Sequence, residues 1–126
     1  KVQVKKDADK EFIKLTGNIE KMKMLLRVLA ESDPERLSDM EIENTLYDYK
    51  GNNPEKFLKY CLDDNLEVQA EIEEMVAKDV LRRIGNQVIF QDETIGEDMK
   101  DAIVYFKNKK NSGQVNTMRA RLKEVS

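Results

Sequence analysis

Between residues 12 and 29, the apolar side chains Phe12, Leu15, Ile19, Met22, Leu26 and Leu29 recur at spacings of 3, 4, 3, 4 and 3. Neither a strand nor a loop has that period, whereas an α-helix gathers all six on one stripe. The pattern predicts a long amphipathic N-terminal helix over residues 7–31, with Ile13 and Leu25 widening the stripe. Asp7, Asp9 and Glu11 suit the positive end of its dipole. Gly17 interrupts the run and costs about 1 kcal/mol against Ala inside a helix, unless it marks a close contact. A seam this regular either packs along its own domain or joins a second chain. Its six residues are therefore the candidate self-association set.

Local signals divide the rest of the chain. Asp33-Pro34 stops the first helix, because proline disfavours a helical conformation in the preceding residue. Ser38-Asp39-Met40-Glu41 is a capping box opening a helix through Ile42, Leu46 and Tyr49 to Gly51. Asn53-Pro54 provides a cap and a first-turn proline for a short helix carrying Phe57, Leu58, Cys61 and Leu62. After the Asp63-Asp64-Asn65 turn, a third helix is expected over residues 66–78, with Leu66, Ile72, Met75 and Val76 apolar. Two β-rich runs flank Gly85-Asn86 and predict a hairpin over residues 80–91. Helix resumes near Glu97 with Met99, Ile103 and Phe106 on one face, and Asn111-Ser112-Gly113 breaks it. Val115, Met118, Leu122 and Val125 mark a final helix.

The expected fold is mainly α with one β-hairpin: a long N-terminal helix, a tri-helical centre with its hairpin, and two C-terminal helices. Residues 1–32 would form the long helix, and residues 33–126 the helical domain. Phe12, Leu26, Ile42, Leu46, Phe57, Ile72, Val76, Ile103 and Phe106 are the expected core.

Residues 38–91 give three short helices, a tight turn before the third, and then a hairpin. This order resembles a winged helix-turn-helix. The resemblance is carried by residues 72–90, where an apolar-patterned helix runs into a first strand holding Arg82 and Arg83, a Gly85 tip and the β-branched return Val88-Ile89. Asp79 stands where that family's turn often has Gly. The resemblance implies a third helix that enters the DNA major groove. Here that helix carries Glu67, Glu71, Glu73 and Glu74, which would add repulsion where affinity comes from neutralising phosphates. Protein contact, or a purely structural use of the motif, suits these residues better.

Charge is unevenly spread. Residues 1–32 hold 8 basic and 5 acidic side chains, residues 33–79 hold 5 and 14, and residues 80–126 hold 9 and 6. An acidic middle between mildly basic ends favours complementarity within the chain or between subunits. A net of -3 is unlike the positive balance of a general nucleic-acid binder. Two basic features nevertheless make nucleic acid the alternative partner. Arg82 and Arg83 flank the hairpin tip, and Lys107, Lys109, Lys110, Arg119, Arg121 and Lys123 cluster near the end. Tyr105 lies beside that cluster and offers a ring for base stacking.

Enzymatic chemistry has little to work with. With 0 His and 1 Cys, a His-dependent triad, a His-ligated metal and a multi-cysteine zinc site are excluded within this chain. The paired carboxylates Asp63-Asp64, Glu73-Glu74, Asp92-Glu93 and Glu97-Asp98 read as turns or exposed helix faces, since adjacent helical residues do not converge on one atom. A magnesium site from Asp92, Glu93 and Glu97 lacks anything to fix its geometry. Cys61, at an apolar position without an activating base, reads as core. The five glycines are scattered and form no phosphate loop. No catalytic residue, metal or cofactor is expected.

A lone cysteine favours a reducing compartment such as the cytoplasm, and no apolar run approaches the length of a membrane span. The chain begins at Lys1 rather than Met, the pattern of a processed product or of part of a longer protein. The C-terminal succession of acidic turn, helix, basic hairpin with a glycine tip, Ile95-Gly96, helix and closing helix resembles the ends of small accessory proteins of tailed bacteriophages. That resemblance implies a role in virion assembly, packaging or a DNA transaction, and carries over no catalytic residue. The expected function is a non-enzymatic interaction or assembly module with a protein partner or a second copy of itself.

Overall fold

Gly17 decides how the N-terminal region folds. The computed structural model describes residues 2–30 and 33–126. In place of one long helix it has two, α1 (Val2–Leu15) and α2 (Ile19–Ala30). Gly17 adopts φ +89 between them, a left-handed conformation that ends α1 and that side chains other than glycine's resist. Asn18 then accepts from the Lys21 amide at 3.2 Å and caps α2. The expected continuous helix is thus corrected, because a residue that only weakens a helix interior is favourable as its terminator. Its predicted end at Glu31 lies outside the described residues.

The chain forms two compact units, Lys1–Ala70 and Glu71–Ser126, so the division falls at 70/71 rather than 32/33. In the first unit, α1 packs on α3 (Asp39–Asn52) and α4 (Pro54–Cys61), and α2 packs on the same two helices. The capping box forms as expected: the Ser38 hydroxyl accepts from the Glu41 amide at 3.2 Å, and the Glu41 carboxylate accepts from the Ser38 amide at 3.0 Å. Hydrogen bonding from the Ser38 amide, and then from its side chain, holds the Glu41 carboxyl below its usual value. Asn53 caps α4 with Pro54 at its first position.

The heptad residues are spent on this unit's own core. Leu15, Met22, Leu26 and Leu29 are buried with Ile42, Leu46, Phe57 and Cys61, and Phe12 and Ile19 pack against them half-buried. Each fully buried Leu or Met contributes roughly 1.5–3 kcal/mol, so in this structure the candidate self-association residues serve the unit's own core. The core also holds a charge that periodicity could not predict. Arg27 is buried, with Asp33 at 3.6 Å and Glu35 at 3.9 Å, tying the single 3₁₀ turn Pro34–Arg36 to α2.

In the second unit, α5 (Leu66–Ala77), which begins in the first, ends in a left-handed cap. The amides of Asp79 and Val80 donate to the carbonyls of Val76 and Met75, at 3.2 and 2.9 Å, and Asp79 takes φ +64. The conformation that glycine usually supplies in such a turn is held here by Asp. The hairpin follows as β1 (Arg82–Ile84) and β2 (Gln87–Phe90), with Ile84 opposite Gln87 and Gly85 at φ +62 in the tip. A third strand that the sequence reading lacked, β3 (Glu93–Gly96), pairs antiparallel with β2. Its turn was hidden because the left-handed residue is Gln91, at φ +57, and not Gly or Asn.

Helix α6 (Met99–Lys107), capped by Asp98, packs on β3 and β2. Gly96 makes that possible, since a Cβ there would meet the backbone nitrogen of Ala102 at 2.5 Å. A 3₁₀ turn, Lys109–Asn111, leads into α7 (Ser112–Val125), so Ser112 and Gly113 open the last helix instead of interrupting it. Ile72, Met75, Leu81, Val88, Phe90, Ile95, Ala102, Phe106, Val115 and Met118 are buried. Val76 and Ile103, expected in the core, are half-buried. The molecule is mainly α with a small antiparallel sheet built on the hairpin, as expected. The helix-helix-helix-hairpin order is present, with α3 and α4 in the first unit and the hairpin in the second.

Candidate functional site

Strand geometry sends successive side chains to opposite faces, and β1 accordingly splits its two arginines. Arg82 donates from Nη2 to the Gln91 carbonyl at 2.8 Å. Arg83 reaches Glu73 of α5, Nη1 to Oε1, at 3.4 Å. From α7, Arg119 makes a two-pronged pair with Glu71, Nε to Oε2 at 2.8 Å and Nη2 to Oε1 at 3.0 Å. Arg121 lies 5.4 Å from the centre of the Phe90 ring. With the Gln91 amide turned so that its oxygen faces that guanidinium, it accepts from both Arg121 nitrogens at 2.8 and 3.2 Å.

The structure therefore brings Arg82 and Arg121 together at Gln91, and directs Arg83 and Arg119 to the carboxylates of α5. The acidic side of α5, which argues against groove reading, is the counter-charge for the unit's own arginines. Exposed pairs of this kind contribute about 0.2–1 kcal/mol each. They position β1 and α7 more than they stabilise the fold. Lys107 ends α6, Lys109 and Lys110 sit on the α6–α7 connection, and Lys123 lies exposed on α7.

Tyr105 lies on α6. It is half-buried in a cleft of about 360 Å³ between β3 and α6. Burial, followed by the negative charge of Glu93, pushes its phenol above the usual value. The cleft is lined by Thr94, Ile95, Gly96 and Glu97 on one side. Asp101, Val104, Tyr105 and Asn108 line the other, at i, i+3, i+4 and i+7 of one face of α6, and Asn111 closes the end. Val104 is 61% exposed there. Sequence reading missed this site because β3 was not recognised as a strand. Thr94-Ile95-Gly96 beside an apolar helix face was the only signal available.

Some of the groups considered for catalysis have structural roles. Asp98 caps α6, Glu97 accepts from Gln87 at 3.0 Å, and Asp63 accepts from the Asn65 amide at 2.8 Å. Among the described residues, no three acidic or cysteine side chains are grouped so as to hold a metal ion, Asp92, Glu93 and Glu97 included. Cys61 is buried, and desolvation pushes its thiol up to about 12 despite nearby Lys21, whose ammonium donates to the Cys61 carbonyl at 3.3 Å. Such a thiol stays protonated and is a poor nucleophile. Among the described residues, no helix is long and apolar enough to cross a membrane.

Comparison of the chain with protein-family models, with curated proteins and with solved structures returns no match.

Proposed function

We propose that this chain is a non-enzymatic protein-interaction module, an accessory or structural component of a larger assembly. The observation that carries this reading is the β3–α6 cleft. It combines a strand at the edge of the sheet, an exposed apolar side chain at Val104 and the carboxylates of Glu97 and Asp101 in a volume of about 360 Å³. Surface apolar residues are individually unremarkable; one set between a strand edge and a helix face is a contact surface. The heptad seam, buried in its own unit, no longer contributes to this reading. A photo-crosslinking residue at position 104 tests it. It should yield a discrete protein adduct in an extract of the source cells that the same residue at exposed Gln114 does not. Identical labelling at both positions would sink the proposal.

Nucleic-acid binding is the second reading, and it draws on the meeting of Arg82 and Arg121 at Gln91 and on the exposed Lys109 and Lys110. Titration of labelled duplex and single-stranded DNA should then show binding that weakens steeply with salt and on Arg82→Glu or Arg83→Glu. No binding at low salt removes this reading.

A further inference from the structure

The sheet order β1-β2-β3 leaves one side of β3 without a strand neighbour. Among the described residues, no backbone hydrogen bond joins β3 to anything but β2. The cleft beside it is lined by four consecutive residues, 94–97. Three of them, Thr94, Ile95 and Gly96, belong to β3, so the cleft follows most of the strand's length on the side of α6. Its opposite wall is a single face of α6 carrying Val104 and Tyr105. A groove with an unpaired strand edge on one side and a helix face on the other accepts an extended chain by strand addition.

Charge selects the occupant. Residues 92–101 carry Asp92, Glu93, Glu97, Asp98 and Asp101 against Lys100 alone. Glu97 and Asp101 line the groove itself, and Glu93 is near enough to act on the Tyr105 phenol. The strand register shifts between Val88, opposite Gly96, and Ile89, opposite Thr94, which leaves Ile95 as an extra residue that bends β3. A bent edge of four residues offers few backbone bonds, so affinity must come largely from the carboxylates and from Val104. We infer that the β3–α6 groove binds an extended, basic segment of a partner protein as an added strand. This rests on the interaction-module reading and gives its partner a chemistry.

The test uses the full chain and labelled nine-residue peptides, read by fluorescence polarisation at low and physiological salt. One peptide alternates Lys and Val, a second alternates Glu and Val, and a third is the Lys-Val peptide with alternate backbone nitrogens methylated. The Lys-Val peptide should bind and weaken as salt rises. The Glu-Val peptide should not bind. The methylated peptide keeps the charge but cannot pair as a strand, and it should bind at least about 10-fold more weakly. Val104→Lys and Asp101→Lys, both at exposed positions, should each lower the affinity about 10-fold while circular dichroism stays unchanged. Equal binding of the methylated peptide, equal binding of the acidic one, or full affinity in Val104→Lys would overturn the inference. If no peptide binds while the position-104 adduct persists, the basic-strand assignment fails and the interaction reading stands; if both are lost, both fail.

Discussion

Replacing Gly96 with Ala tests the packing on which the β3–α6 groove depends. Gly96 is buried and its backbone lies outside the left-handed region, so Ala meets no conformational obstacle there, and space alone sets the sign. The new methyl would lie 2.5 Å from the Ala102 nitrogen, 2.8 Å from the Asp98 carbonyl oxygen and 2.9 Å from the Ala102 Cα. All three are backbone atoms in the first turn of α6, so no side chain can swing aside, and the helix must move away from the strand. Overpacking of this kind costs about 1–3 kcal/mol, and rigid neighbours place it in the upper half of that range. Against it, Ala restricts the unfolded chain and returns about 0.4–1 kcal/mol. The net expectation is a loss of about 1–2.5 kcal/mol, read as a lower urea midpoint at unchanged slope. Gly51→Ala is the control: Gly51 lies in the last turn of α3 with nothing within 4 Å of an added Cβ, and that variant should gain up to about 1 kcal/mol. If Gly96→Ala is as stable as the parent, the close approach of α6 to β3 is refuted, and with it the geometry of the groove.

Three further outcomes are expected. Arg27→Ala removes a buried guanidinium and its packing while Arg36 and Lys23 stay beside Asp33 and Glu35, and should cost about 1–2 kcal/mol in urea unfolding. Arg36→Ala, whose side chain is 88% exposed, should cost less than about 0.5 kcal/mol. At Asp79, held at φ +64, a β-branched side chain is strained, so Asp79→Val should lose about 1–2 kcal/mol, whereas Asp79→Gly should stay within about 1 kcal/mol of the parent by the same assay. The Cys61 thiol ionises near 9.0 when exposed and near 12 in the folded chain. Folding therefore favours its neutral form, and the stabilisation is complete below the unfolded value. It declines as pH rises from 9.0 toward about 12. Cys61→Ala should flatten that alkaline decline, and a thiol reagent at pH 8 should label the denatured chain much faster than the native one.

How much was legible in the residues depended on how local each cause was. The Ser38–Glu41 capping box, the Asn53-Pro54 helix start and the Gly85-Asn86 hairpin were all readable, because each is settled by atoms within about four residues of one another. The candidate arginines were identified from the sequence, but their partners were not. Glu71 and Arg119 are 48 residues apart, and only folding makes them neighbours. Tyr105 was placed beside a basic cluster by its position in the sequence, and the cleft it shares with Glu97 and Asp101 becomes visible only where one face of α6 packs beside β3.

The sequence by itself determined where α3 and α4 start, where the hairpin turns and most of the side chains that leave water. These follow from capping bonds, backbone preferences and the hydrophobic cost of exposure. Tertiary structure decided the rest. At Gly17 the local penalty of about 1 kcal/mol was too small to choose between a long helix and two short ones. Folding α1 and α2 onto α3 and α4 buries Leu15, Met22, Leu26 and Leu29 of the seam and tips the balance. Strand β3, four residues with a Gln in its left-handed turn, has no local signature strong enough to mark it. It exists because β2 supplies its hydrogen bonds and α6 covers it, closely enough that only glycine fits at position 96.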